Sequence, residues 1–198
     1  MTSRTGERAE RARLFVGLEL PVPVRGELTG WCSAHLGGGT PGLRPVEPEA
    51  LHVTLCFLGW RPVEQIGRIV AACEDAVSGP PAELVLGAPV WLGSARSRVI
   101  AVGLSDRSGT LSRLQQSIVR TMVAVGCHEP EERPFLPHVT VARSGRRSRV
   151  SRRELPPPAP VTFMGRDVTL FRSWAGLGAQ RDPPRARYET LRTISLGG

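Results

Sequence analysis

The sequence predicts an α+β protein, and three observations carry that expectation. Apolar residues recur at helical spacing in three separate stretches, and short β-branched runs of strand length lie between and after them. Several of these runs are joined by tight bends rather than long crossovers. No internal period of 20–50 residues appears, so a solenoid is not expected.

Order is expected to begin at Arg13, with Arg13–Leu20 a strand stopped by Pro21. Val24, Leu28, Trp31, Cys32 and Leu36 then fall on one helical face, and Gly37, Gly38 and Gly39 end that helix. Arg44–Ala50, with two prolines, is an extended lead into the run Leu51–Leu58, which Gly59 closes. Pro62 sits where helices accept proline, and Val63, Ile66, Ile69, Val70, Cys73 and Val77 mark a second amphipathic helix ended by Gly79, Pro80 and Pro81. Glu83–Leu92 and Arg98–Leu104 read as strands around a bend. Leu111, Leu114, Ile118, Met122 and Val125 form a third helix closed by Gly126. A second proline-bearing lead, Arg133–Pro137, precedes the run ending at Arg143; two late strands, Val161–Phe171 and Arg187–Leu196, finish the chain.

One pattern occurs twice, as Leu51-His52-Val53-Thr54-Leu55-Cys56-Phe57-Leu58 and as Pro137-His138-Val139-Thr140-Val141-Ala142-Arg143. Side chains alternate between the faces of a strand, so each histidine shares a face with the threonine two residues on, while Val53, Leu55, Val139 and Val141 point the other way. A single such histidine is ordinarily hydrogen-bonded to backbone at a strand edge. The repeat, with matching apolar positions and matching context, favours a shared site instead. Two imidazoles and two hydroxyls lining one cleft can hold a small anion and move protons around it, which points to a phosphoesterase.

Composition sets the bounds. At 198 residues the chain is long enough for its own core, and 40% hydrophobic with 22% charged residues is ordinary for a globular protein. No run approaches the ~18 apolar residues that span a bilayer. Residues 1–12 are expected to be a disordered leader without a secretory pattern, followed by a single domain over 13–198 in a cytoplasmic protein. The net charge is +8, and all 26 basic residues are arginine. Arginine forks suit phosphate, although a genome biased towards arginine codons gives the same composition. Cys32, Cys56, Cys73 and Cys127 form no C-x-x-C pair, and a reducing compartment argues against disulfides. Cys32 with His35 and Cys127 with His128 lack convincing zinc spacing, so neither metal nor cofactor is expected.

With both motifs placed, the chain resembles the 2H phosphoesterases, and within them the RNA 2′,3′-cyclic phosphodiesterases, also called 2′-5′ RNA ligases. The likeness runs from about Arg13 to Leu191. It takes in the opening strand, both motifs, the strand Arg98–Leu104, and the closing segments Val168–Ser173 and Tyr188–Leu191. It implies a bilobal fold with a pseudo-two-fold axis: two antiparallel sheets with outer helices, and the motif strands facing across a central cleft. It also implies hydrolysis of RNA 2′,3′-cyclic phosphate ends to 2′-phosphomonoesters, with reverse 2′-5′ ligation as a companion reaction. His52 is the implied acid at the 3′ oxygen and His138 the implied base on water; the symmetry of the motifs does not rank the two. The family often has a basic residue at the position of Cys56, on the His52 face by plain alternation, so a phosphate contact is missing there.

Thr54 and Thr140 supply hydroxyls for the phosphate oxygens. Arg143 supplies charge if a bulge or the strand end turns it to the histidine face, since alternation alone places it opposite. Arg146, Arg147 and Arg149, part of a run reaching Arg153, are candidates to track an RNA backbone. Phe135, Trp91 and Trp174 are candidates to stack a base, though each is more often core. The expected partner is RNA with a cyclic phosphate end, met by a monomer away from any membrane. Rival readings are a cyclic phosphodiesterase acting on a small nucleotide such as ADP-ribose cyclic phosphate, a non-catalytic RNA-binding module, and a zinc hydrolase.

Overall fold

The computed structural model describes residues 10–36, 42–94, 97–129, 133–144, 150–174 and 188–197. Strand β1 (Arg11–Glu19) leads into helix α1 (Val22–His35), which begins on prolines and buries Val24, Leu28, Trp31 and Cys32 along one face. Short β2 (Leu43–Pro45) and a 3₁₀ turn at Pro48–Ala50 precede β3 (His52–Pro62), the first motif strand. Helix α2 (Ile66–Ala76) buries Ile69, Ala72, Cys73 and Ala76. The hairpin of β4 (Ala82–Ser94) and β5 (Ser97–Ser105) leads to α3 (Thr110–Ala124). The Asp106 carboxylate accepts from the backbone N–H groups of Leu111 and Ser112 and so caps α3. At the other end Gly126, at φ 68°, lets Cys127 donate back to the Met122 carbonyl. The second motif strand β6 (His138–Ser144) is followed by β7 (Thr162–Gly165), β8 (Asp167–Ser173) and β9 (Tyr188–Ser195).

The strands run in the order β7-β4-β5-β6-β3-β1-β8-β9, with β2 also on β6. All pairings of the described strands are antiparallel; the two motif strands meet at Val53 opposite Val139, and β2, from the lead into β3, pairs with β6 of the other half. A pseudo-two-fold axis at that pair exchanges β3, β1, β8 and β9 with β6, β5, β4 and β7. These are the two expected sheets, joined edge to edge into one nine-stranded sheet. Val53 and Val139 are fully buried and belong to one core cluster with Leu28 of α1, Ile69 of α2 and Ile118 of α3. The apolar side of each motif strand therefore faces the helices, leaving the histidine side open.

The observed elements depart from the expected ones in several places. Residues 1–9 lie outside the described residues, but Arg11 and Ala12, expected in the leader, belong to β1, and Glu10 accepts from Arg172 at 3.0 Å. Gly59 does not close β3. It takes φ 71° within the strand, opposite Leu14, beside a register shift between Leu14 and Phe15. The single late strand expected over Val161–Phe171 is two. β7 pairs with β4, while β8 crosses to the other half and pairs with β1. At the crossing Gly165 lies so close to fully buried Leu18 that an added Cβ would fall 2.6 Å from its Cδ2.

Candidate active site

Each motif strand carries a bulge at the same place. Val16 faces Cys56 while Gly17 faces Thr54, leaving Leu55 as the extra residue of β3. Likewise Ile100 faces Ala142 while Ala101 faces Thr140, leaving Val141 extra in β6. A bulge resets the alternation of every residue beyond it. Leu55 and Cys56 are accordingly both buried, as are Val141 and Ala142, and the next residues, Phe57 and Arg143, return to the open side. Arg143 thus shares the face of His138 and Thr140. Its counterpart in the other half is Phe57, 44% exposed, with the Arg13 guanidinium 4.9 Å from its ring centroid. Cys56 is 3% exposed and does not share the His52 face, which corrects the expectation from plain alternation.

Continuing the register from Val53 and Val139 sets His52 across from Thr140 and Thr54 across from His138. The imidazoles occupy one diagonal of a four-cornered site and the hydroxyls the other. Each imidazole is oriented by the carbonyl two residues earlier in its lead. His52 Nδ1 is 2.7 Å from the Ala50 oxygen, and His138 Nδ1 is 2.7 Å from the Leu136 oxygen. A carbonyl only accepts, so both Nδ1 atoms carry a proton, which leaves Nε2 as the reactive nitrogen of each ring. The Thr54 hydroxyl donates to His52 Nε2 at 3.1 Å.

The two histidines differ in their surroundings. The His52 ring lies 4.7 Å from Phe15, 5.3 Å edge-on from Tyr188 and 6.1 Å from Phe171, centroid to centroid. Beneath it, Gly17 leaves no room, since an added Cβ would lie 3.2 Å from His52 Cδ2. Burial among these rings lowers the His52 pKa to about 4, against the opposing hydrogen bond to Ala50, with the charges of Arg143 and His138 lowering it further. His52 is therefore neutral at pH 7 in the ligand-free site. Burial raises the Tyr188 hydroxyl, while Arg143 and Arg13 act in the opposite direction.

Two cavities flank the histidines. One, of about 540 Å³, is bordered by His52, Tyr188, Phe171, Trp174 and several charged residues. The other, of about 840 Å³, opens on His138 and Thr54 between Phe57, Phe135 and Arg133. Phe135, expected as a stacking residue, lines the second cavity. Trp174, also expected to stack, lines the first. Trp91 borders neither of these two cavities, and its indole N–H donates to the Arg153 carbonyl at 2.9 Å. Arg146, Arg147 and Arg149 lie outside the described residues. Among the described residues no group of three or more His, Cys, Asp or Glu side chains is arranged to hold a metal ion, and no helix is long and apolar enough to cross a membrane.

The model of the 2′-5′ RNA ligase superfamily matches residues 34–174, more than half of the chain. The chain belongs to that superfamily. Among the curated relatives of this 2′-5′ RNA ligase superfamily member, the RNA 2′,3′-cyclic phosphodiesterase of Methanothermobacter thermautotrophicus is 36% identical over 148 residues, 73% of this chain and 78% of the relative. The RNA 2′,3′-cyclic phosphodiesterase of Escherichia coli is 29% identical over 182 residues, 91% of this chain and 97% of the relative. The crystal structure of E. coli LigT complexed with 3′-AMP matches at a TM-score of 0.77 and 25% identity, covering 96% of this chain and all of that one.

Several features of this superfamily member's site escape a reading of the two motifs. Phe15, Phe171 and Tyr188 come from β1, β8 and β9, which only the sheet pairing brings to His52. Tyr188 had one available signal: it is the sole tyrosine in the chain, at the head of a strand.

Proposed function

We propose that this superfamily member hydrolyses RNA 2′,3′-cyclic phosphate ends to 2′-phosphomonoesters, by proton transfer between His52 and His138 without a metal. The observation that carries the reading is the diagonal pair of imidazoles, one from each half of the sheet, each held with Nδ1 on a carbonyl. A phosphorus atom between them has a nitrogen on either side, as in-line displacement needs. His138 Nε2 takes a proton from water as the water oxygen bonds to phosphorus. The bond from phosphorus to O3′ breaks, and His52 Nε2 delivers a proton to O3′, leaving the phosphate on O2′. Thr54, Thr140 and Arg143 hold the two non-bridging oxygens and the charge that develops on them.

The low pKa of His52 bears on this sequence of steps. In the free site His52 lacks the proton that an acid must give. Burial is the main cause of that depression and substrate does not relieve it, but the substrate is an anion: its charge beside His52 favours the protonated ring and offsets Arg143, so binding shifts the pKa upward. An RNA 5′-hydroxyl in place of water undergoes the same transfers and yields a 2′-5′ linkage.

A monomer suffices for this chemistry, because both motif strands come from one chain and meet at Val53 and Val139. The region from β1 onward then works as one bilobal unit in the cytoplasm. The test is the product formed from a short oligonucleotide ending in a 2′,3′-cyclic phosphate. A 2′-phosphate is expected. Exclusive formation of a 3′-phosphate would reverse the assignment of the leaving oxygen, and no turnover would overturn the reading.

A further inference from the structure

The cavity of about 540 Å³ beside His52 has a charge opposite to that of the protein as a whole. The chain carries +8, yet the charged groups around this cavity are Glu19, Glu47 and Glu49 against Arg25 alone. A phosphate group would be repelled there. A flat, uncharged ring would not, since Tyr188 and Trp174 offer aromatic surface on the same cavity and His52 forms its border with the reaction centre. Glu19 is fixed in place, accepting from the fully buried Thr169 hydroxyl at 2.5 Å, and Thr169 also meets the Thr193 hydroxyl at 2.8 Å. Glu47 and Glu49 flank Pro48 in the turn whose last residue, Ala50, orients His52.

We infer that this cavity receives the base of the nucleotide bearing the cyclic phosphate, and that its carboxylates select bases that present amino and imino hydrogens. The inference rests on the proposed cyclic phosphodiesterase reading, in which the leaving ribose oxygen lies on the His52 side. Carboxylates only accept hydrogen bonds. Guanine presents N1–H and the N2 amino group side by side, matching both oxygens of one carboxylate. Adenine and cytosine each present one amino group. Uracil presents a single N3–H between two carbonyl oxygens, which a carboxylate repels. Guanosine is therefore the preferred terminal nucleoside and uridine the poorest. Glu47 and Glu49 are exposed, so water competes for their oxygens, and the difference expected in kcat/KM is that of about one net hydrogen bond, roughly 2–10-fold.

The experiment compares guanosine, adenosine, cytidine and uridine 2′,3′-cyclic phosphates as substrates for the wild type, Glu47→Gln and Glu49→Gln. Calorimetric binding of guanosine and uridine 2′-monophosphates runs alongside. Both substituted positions are exposed and lie outside the core, so the fold is not at risk. The expected result is a guanosine preference that shrinks in at least one Gln variant, mainly through poorer use of guanosine. Equal use of all four substrates by the wild type overturns the inference. So does a uniform change across the four in both variants, which is what removing negative charge near an anionic substrate would do by itself. If no substrate turns over but guanosine monophosphate still binds more tightly than uridine monophosphate, the base site stands and the proposed activity fails.

Discussion

His52 and His138 have the same local environment along the chain and different environments in space. Their carbonyl partners are equivalent, but only His52 is packed against Phe15, Phe171 and Tyr188. An NMR titration of the ligand-free protein should show His52 losing its proton at about pH 4, and a bound nucleoside 2′-monophosphate should move that midpoint upward. A midpoint near ~6.5 that ignores the ligand would contradict the packing effect. The same shift has a consequence for stability. Between the unfolded value near ~6.5 and about 4, the unfolded chain binds a proton at His52 that the folded chain does not, so stability falls as pH drops through that window. The motif residues were legible from the sequence because period-two alternation is local. The rings that set the His52 pKa were not, because they lie roughly 40 to 140 positions away along the chain and reach the site only through strand pairing.

The bulges at Leu55 and Val141 decide which side chains face the cleft. Strand positions, leads and helices could be read from hydrophobic period, glycines and prolines. A bulge adds one residue without any compositional mark, so alternation alone places Arg143 opposite the histidines and Cys56 beside them. The expected turn of Arg143 into the cleft is made by the bulge at Val141, and the bulge at Leu55 takes Cys56 out of it. β7 and β8 likewise read as one strand, Val161–Phe171, because the sequence does not show that Gly165 must press against Leu18 where the chain changes halves. Substituting both positions in turn checks the bulged register. Cys56→Arg should lower the melting temperature sharply, since an unpaired guanidinium would be buried in the core. Phe57→Arg should lower it far less, because that side chain already projects to the open side and forfeits only its contact with Arg13. Equal tolerance of both substitutions would contradict the bulge in β3.

At the scale of the whole molecule, two similar halves each contribute one imidazole and one hydroxyl to a site that neither completes alone. The pseudo-two-fold arrangement is what the family resemblance implies; the Val53–Val139 bridge and the β2–β6 pairing that join the halves have no sequence signal, since edge contacts leave no pattern in either strand. Activity on a cyclic phosphate should persist in excess EDTA, because proton transfer and hydrogen bonding are sufficient in this scheme; loss in chelator with recovery on adding metal would rule it out. If Arg147, Arg149 and Arg152 contact the RNA backbone, neutralising all three should weaken binding of long RNA and flatten its salt dependence, with dinucleotide turnover little changed. Unchanged RNA affinity and salt slope would remove the run from the binding surface. The most direct measurement is kcat/KM on a 2′,3′-cyclic phosphate for His52→Ala, His138→Ala and the double variant, with folding checked by circular dichroism. Each single variant should lose roughly 10²–10⁴-fold, and the double variant less than the product of the two, because both groups act on one transition state. A folded single variant that turns over near the wild-type rate would contradict the paired role of the histidines.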